Sequence, residues 1–203
     1  MATIDRTAII TPSQLDRARV LYEEVEPRGL AYRGARDIIR RADEKLSDLS
    51  VAEAVGMLLL SWNASYYRFR GGFDEDHLRE IEDLLGDWYA DITCYRARPL
   101  EELDDDEGDV IVDLFDDFAA VLGPTGAAKA LHLLAPRFFP LWDTPIRKGY
   151  RIWRTDGEGY LVFMLVTRDQ FRELGGEAVW GDALVKRIDE YNYCRYSREL
   201  ELA

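Results

Sequence analysis

Apolar side chains recur every three or four positions along most of the chain, which is the spacing of amphipathic α-helices. The cleanest stripe lies between Ile111 and Leu122. Thr11 and Ser50 begin capping-box patterns that predict helix starts. The other stripes that predict helices lie in residues 15–25, 35–46, 51–62, 78–88, 126–135, 146–153 and 184–191.

One segment fits both a strand and a helix. Residues 160–166 are all apolar, which also suits a buried strand, but the pattern extends to Phe171 and Leu174 before Gly175 and Gly176. This length and the glycine stop favour a helix. The sequence therefore predicts an all-α fold, a helical bundle that forms a single domain over residues 1–203, either undivided or as two lobes.

Charge is distributed unevenly along the chain. The net charge is −13, which argues against nucleic-acid binding by the molecule as a whole. Residues 101–117, called the acidic segment below, contain ten acidic residues and no basic one. Residues 123–154 contain six basic residues against one acidic residue, so one face can still bind anions.

Several protein classes are disfavoured by composition. No run of 18 apolar residues is present, so no membrane span is expected. The amino terminus lacks the pattern of a signal peptide, which predicts a cytoplasmic protein. Two cysteines and two histidines are too few for a typical structural metal site, and no metal or other cofactor is predicted.

The strongest functional signal lies in residues 118–151. A helix ends at Gly123 and Pro124, and a second helix begins at once, where its free N–H groups form a natural phosphate site. The chain then reaches Asp143, which directly precedes another predicted helix. Its carboxylate either caps that helix or faces a cleft beside the hairpin.

These residues resemble the helix-hairpin-helix DNA glycosylase superfamily, whose fold is like that of endonuclease III. The second half of the hairpin and the aspartate that follows it match the family pattern at Gly126, Ala130, Leu133, Leu134, Asp143, Thr144, Ile146, Arg147 and Lys148. Three positions depart from it. Pro145 replaces the histidine that follows the Asp-Thr pair in the family. Pro124 stands where the first hairpin glycine belongs. Lys129 lies one residue before Ala130, whereas the nucleophilic lysine of the family lies two residues before the corresponding alanine.

The resemblance implies base excision from DNA, with Asp143 stabilising a cationic sugar and Lys129 as the candidate nucleophile. Nucleic-acid contacts are expected at Gly123, Gly126, Arg147, Lys148 and Arg151. The alternative for Lys129 is an ordinary solvated helix residue.

Aromatic residues outside the hairpin suggest a base pocket. Trp62, Asn63, Tyr66 and Tyr67 either pack in the core or form a pocket in which a base stacks while the amide of Asn63 contacts its edge. Core positions are predicted for Trp142 and Trp153, and His132 is expected to be hydrogen-bonded and partly buried.

Three functions remain open on sequence alone. The chain is a DNA glycosylase-like enzyme, a non-catalytic module that binds DNA through the hairpin, or an interaction protein that binds a partner through residues 101–117. The acidic segment is otherwise a solvated face.

Overall fold

The computed structural model describes residues 10–26, 29–42, 45 and 49–202. All regular structure in these residues is helical, which confirms the all-α prediction. The helices in chain order are α1 (Pro12–Val25), α2 (Gly29–Arg41), α3 (Leu49–Trp62), α4 (Ala64–Arg70), α5 (Glu75–Asp87), α6 (Tyr89–Arg96), α7 (Gly108–Leu122), α8 (Pro124–Leu134), α9 (Thr144–Gly149), α10 (Gly157–Glu173), α11 (Gly176–Trp180) and α12 (Leu184–Asn192).

Side-chain caps fix several helix starts. The Thr11 hydroxyl accepts from the Gln14 N–H while the Gln14 side chain accepts from the Thr11 N–H, so the predicted capping box is present. Asp74 caps α5 through the N–H of His77 at 2.9 Å. The ambiguous residues 160–166 lie inside α10, so the helical prediction there is confirmed.

Within the motif predicted at residues 118–151, α7 and α8 form the hairpin. Gly123 turns the chain with φ 71°, a value that favours glycine, and a Cβ atom there would lie only 2.8 Å from the ring of Tyr66. Gly126 is in the first turn of α8, where a Cβ would lie 3.0 Å from the Cβ of Leu122 and 3.2 Å from Asn63 Nδ2. The two glycines thus bring α7, α8 and α4 into close contact.

The two ends of the described chain meet. Helix α12 packs on α1, and a π-helical turn at Tyr193–Ser197 packs on α9. This arrangement brings side chains from α1 and α12 next to the segment that joins α8 to α9.

The acidic segment is braced by arginines rather than loosely solvated. Arg98 forms a two-pronged ion pair with Glu107, with N–O distances of 2.5 and 2.9 Å. Arg168 of α10 reaches the carboxylate of Asp105 at 2.9 Å. Most of the remaining carboxylates of the segment are exposed, so its surface stays strongly negative.

One predicted core residue was placed wrongly. Trp142 is buried as expected, but 69% of Trp153 is exposed. Helix α9 ends at Gly149, and Arg151 adopts a positive φ, so the helical register that placed Trp153 inward does not continue. The predicted core position Leu46 lies outside the described residues. Within the described ranges, no helix is long and apolar enough to cross a membrane.

Candidate active site

A cavity of about 160 Å³ opens where α1, α3, α8 and α12 meet the segment between α8 and α9. It is about as large as a cavity of roughly 150 Å³ that holds benzene, so it accommodates a small planar ring. Most of its wall is aromatic or carboxylic. The lining residues are Tyr22, Glu26, Trp62, Lys129, Leu141, Trp142, Asp143, Ile146, Asp189 and Tyr193.

Both candidate catalytic residues, Lys129 and Asp143, line this cavity. Lys129 lies in the middle of α8 and is half-buried. Its ammonium group donates a hydrogen bond to the backbone carbonyl oxygen of Trp62, the last residue of α3. The lysine is therefore directed at the cavity wall rather than into bulk solvent.

Asp143 caps α9 and faces the cavity at the same time. Its Oδ1 atom accepts from the Ile146 N–H at 2.9 Å, and its Oδ2 atom accepts from the Ser197 hydroxyl at 3.0 Å. The structural alternative considered from sequence, a helix cap, is thus present. It does not exclude a chemical role, because the capped carboxylate still lines the cavity.

Sequence reasoning missed Asp189, a second aspartate of the cavity. Asp189 is buried on α12 and accepts from Lys186 Nζ at 2.5 Å. Burial raises its pKa, and the Coulombic effect of Asp143 adds to the increase, while Lys186 and Lys129 oppose it. The signal in the sequence was the pair Lys186 and Asp189, three residues apart within the predicted stripe at 184–191. Because buried charges are rare unless they are paired, such a pair indicates a buried aspartate.

A stack of aromatic rings packs against Trp62, one of the residues that line the cavity. The ring of Tyr32 is stacked on Trp62 with a centroid distance of 5.4 Å and on His132 with a centroid distance of 5.6 Å. His132 Nδ1 donates to the Phe139 carbonyl at 2.8 Å, so Nε2 accepts from the Tyr32 hydroxyl at 3.1 Å. These bonds fix the rings that position Trp62.

Burial lowers the pKa of His132 to about 3, from an ordinary value of 6.5. The folded protein therefore holds His132 neutral below pH 6.5, while the unfolded chain takes up a proton. As the pH falls from 6.5 to about 3, we expect this group to lower the free energy of unfolding by about 1.4 kcal/mol per pH unit. Urea unfolding of the parent and His132→Gln at pH 7 and pH 5 measures this difference. Equal losses in the two proteins would contradict it.

Only Trp62 of the four predicted base-pocket residues lines the cavity. Asn63 and Tyr66 instead contact the hairpin at Gly126 and Gly123. Tyr67 is buried, where its hydroxyl lies 3.1 Å from Nε2 of His77. Asn63 and Tyr66 thus support the hairpin, while Tyr67 packs against Phe73 and His77. None of the three lines this cavity.

The predicted phosphate contacts differ in how far they are exposed. Arg147 is half-buried, and its Nη1 atom donates to the Ile152 carbonyl at 2.8 Å, so it holds the loop after α9. Lys148 and Arg151 are exposed. Gly123 and Gly126 are both buried in the hairpin, at the beginning of α8.

Among the described residues, no group of three histidine, cysteine or carboxylate side chains is arranged to hold a metal ion. The chemistry that the cavity itself offers is that of an amine beside carboxylates, enclosed by aromatic rings. Comparison with protein-family models, curated proteins and solved structures found no match to this chain. Function must therefore be inferred from the geometry of the cavity.

Proposed function

We propose that the chain excises a base from nucleic acid by cleaving the bond between the base and its sugar. The observation that carries this proposal is that Lys129 and Asp143, selected from the hairpin pattern, line one cavity with aromatic walls. Stacking on Trp62, Trp142 or the tyrosines of the cavity suits a flat base that has been rotated out of its strand.

The residues of the cavity supply the chemistry. The Lys129 nitrogen forms a bond to the anomeric carbon of the sugar while the bond from that carbon to the base breaks. The base leaves with the bonding electron pair and a proton. The sugar ring then opens as the bond from the anomeric carbon to the ring oxygen breaks and that oxygen takes the remaining N–H proton, which leaves an imine between the lysine and the sugar. Water hydrolyses this imine to the sugar aldehyde and regenerates the lysine. Asp143 stabilises the positive charge that develops on the sugar.

Lys129 must lose its ammonium proton before it attacks. Asp189 lines the same cavity, and its raised pKa makes that carboxylate a better proton acceptor than an ordinary aspartate. Once deprotonated, the Lys129 amine no longer donates a charged hydrogen bond to the Trp62 carbonyl oxygen, and its lone pair can attack.

The charge distribution is compatible with a polyanionic substrate. Helix α7 runs from Gly108 to Leu122, so the beginning of the helix lies roughly 20 Å from the hairpin turn at a rise of 1.5 Å per residue. The carboxylates before and at the start of α7 thus lie far from the proposed contacts at Gly123 and Gly126. Screening at physiological salt, with a Debye length of about 8 Å, weakens their repulsion further.

A panel of duplex oligonucleotides that each carry uracil, an oxidised base or an alkylated base tests the proposal. The parent is expected to release the free base from at least one substrate, measured by mass spectrometry. Lys129→Gln is expected to lose this activity, since an amide retains a donor for the Trp62 carbonyl but is not a nucleophile.

Lys45→Gln is the matched control, because Lys45 is exposed and outside the cavity. This variant should retain the parent's rate. Absence of release from every substrate would overturn the proposed function. Equal rates for the two lysine variants would remove Lys129 from the mechanism.

A second candidate function is favoured by the braced acidic segment. The ion pairs of Arg98 and Arg168 hold the segment in place, while Asp106, Asp109 and Asp113 remain exposed. A fixed negative surface suits a basic protein partner. If the parent binds no DNA or RNA at low salt, this candidate is favoured over base excision.

A further inference from the structure

The ammonium group of Lys186 is fixed beside Asp189 by aromatic rings. Its Nζ atom donates to Asp189 Oδ2 at 2.5 Å and to the Tyr22 hydroxyl oxygen at 3.4 Å. The same atom lies over the ring of Tyr22 at 4.4 Å, and 5.7 and 5.8 Å from the ring centroids of Trp62 and Tyr32. Rings within about 6 Å attract a cation. The position of this charge is therefore determined by three different helices.

A second cavity lies on the other side of Tyr22 and Trp62 from the cavity of the candidate active site, called the first cavity below. The second cavity has a volume of about 210 Å³, and these two residues line both cavities. Lys186 lines the second cavity, whereas Asp189 lines the first. The bond between Lys186 and Asp189 thus joins the two cavities, and Lys186 acts on the first cavity through Asp189.

Lys186 itself is unsuited to be the nucleophile. Burial lowers its pKa, but the neighbouring Asp189, Tyr22 and Glu190 outweigh burial and hold the pKa above its ordinary value. The ammonium group therefore stays protonated at neutral pH. Glu190 also pairs with Arg19 at 3.4 Å, so Asp189 is the carboxylate that Lys186 bonds directly.

Several titratable groups share the first cavity with Asp189. They are Tyr22, Glu26, Lys129, Asp143 and Tyr193. Burial and Asp143 raise the pKa of Asp189, while Lys186 and, to a smaller extent, Lys129 lower it. A cation in contact with a carboxylate favours its ionised form. Lys186 is thus the group that most opposes protonation of this buried carboxylate.

We propose that Lys186 is a positioning residue of the candidate active site, which keeps the carboxylate of Asp189 ionised in the first cavity. The ionised form is the one that can accept the ammonium proton of Lys129. The inference deepens the proposed function and rests on it for this proton transfer. Removing the charge of Lys186 should therefore disable Asp189 as a proton acceptor at low pH.

Carbon-13 NMR of the aspartate carboxyl groups tests the proposal with the full chain. The signal of Asp189 is identified by its absence in Asp189→Asn. Lys186→Gln keeps a donor beside the carboxylate but removes the charge. It is expected to raise the pH at which Asp189 titrates by about one to three units. Lys186→Arg restores the charge and should reverse most of this shift.

The pH dependence of base release gives a second measure of the same carboxylate. In Lys186→Gln, the acidic limb of the kcat profile is expected to move to higher pH together with the titration of Asp189, because a protonated carboxyl group accepts no proton. Arg187→Gln is the matched control. It removes a positive charge from the next residue of α12, which pairs with Asp16 at 3.3 Å and lines neither cavity. This variant should titrate and react like the parent.

A double variant decides the case in which Lys186→Gln does not fold. Lys186→Gln combined with Asp189→Asn leaves no uncompensated charge at this pair. Recovery of folding in the double variant would show that Lys186 compensates the charge of Asp189, as proposed. If the double variant does not fold either, the shape of Lys186 rather than its charge is required, and the proposal is overturned.

The outcomes separate the two proposals. If Asp189 titrates at the same pH in the parent and in Lys186→Gln, the role of Lys186 is overturned and base excision stands. A shifted titration without base release from any substrate contradicts the proposed function and supports the role of Lys186 in keeping Asp189 ionised.

Discussion

Replacing Asp143 by Asn is expected to reduce base release by about 10²–10³-fold while leaving the stability of the fold unchanged. Asn caps helices as well as Asp does, and its Oδ1 atom can still accept from the Ile146 N–H. Its amide can donate to the Ser197 hydroxyl, which now acts as an acceptor. A neutral amide, however, does not stabilise a cationic sugar. Rates under single-turnover conditions and the melting temperature measure the two effects.

Asp74→Asn provides the control for Asp143→Asn. Asp74 caps α5 with the same 2.9 Å bond from a side-chain oxygen to a backbone N–H, and it does not line the cavity. This variant should retain both full activity and full stability. A fully active Asp143→Asn protein would show that the carboxylate is only a cap.

The second large effect is expected at Gly157, where α10 crosses α7. A Cβ atom at this position would lie 2.4 Å from the Val112 carbonyl oxygen and 2.7 Å from the Val112 Cα. Backbone atoms cannot rotate away, so Gly157→Ala must separate the two helices. It must also weaken the 2.7 Å bond from the Gly157 N–H to Asp116. We expect a loss of about 1–3 kcal/mol in the free energy of unfolding, measured with urea.

Gly86→Ala is the matched control for Gly157→Ala. Gly86 lies in α5, and a Cβ there meets no atom within 4 Å. Alanine is the better helix former by up to about 1 kcal/mol, so this variant should be as stable as the parent or more stable. If Gly157→Ala were as stable as Gly86→Ala, α7 and α10 would not be in close contact at this point.

Local features of the fold were accessible from the sequence because they depend on neighbouring residues. The stripe from Ile111 to Leu122 is buried in α7, and the capping pattern at Thr11 forms the expected bonds. Ser50, the other predicted helix start, lies inside α3 rather than before it. Gly123 turns the hairpin with the positive φ that its position predicted. Each of these features is determined within a few residues along the chain.

The cavity was only partly accessible, since it depends on tertiary packing. Tyr22 and Asp189 are 167 positions apart in the numbering and meet only because α12 packs on α1. Nothing local to either residue specifies that contact. Trp153 shows that a local pattern can also mislead. Its spacing from Ile146 fits a helix, but the helix ends at Gly149 and the Trp153 side chain is exposed rather than buried.

The most direct measurement of the central claim is to identify which lysine reacts with the sugar. The chain has only four lysines, Lys45, Lys129, Lys148 and Lys186, so the assignment is decisive. An oligonucleotide with an abasic site is incubated with the protein and reduced with borohydride, and the adduct is located by peptide mass spectrometry. This substrate presents a sugar aldehyde to an amine whatever base is excised. The account predicts an adduct on Lys129. An adduct on another lysine or on the terminal amine, or no adduct at all, would contradict it.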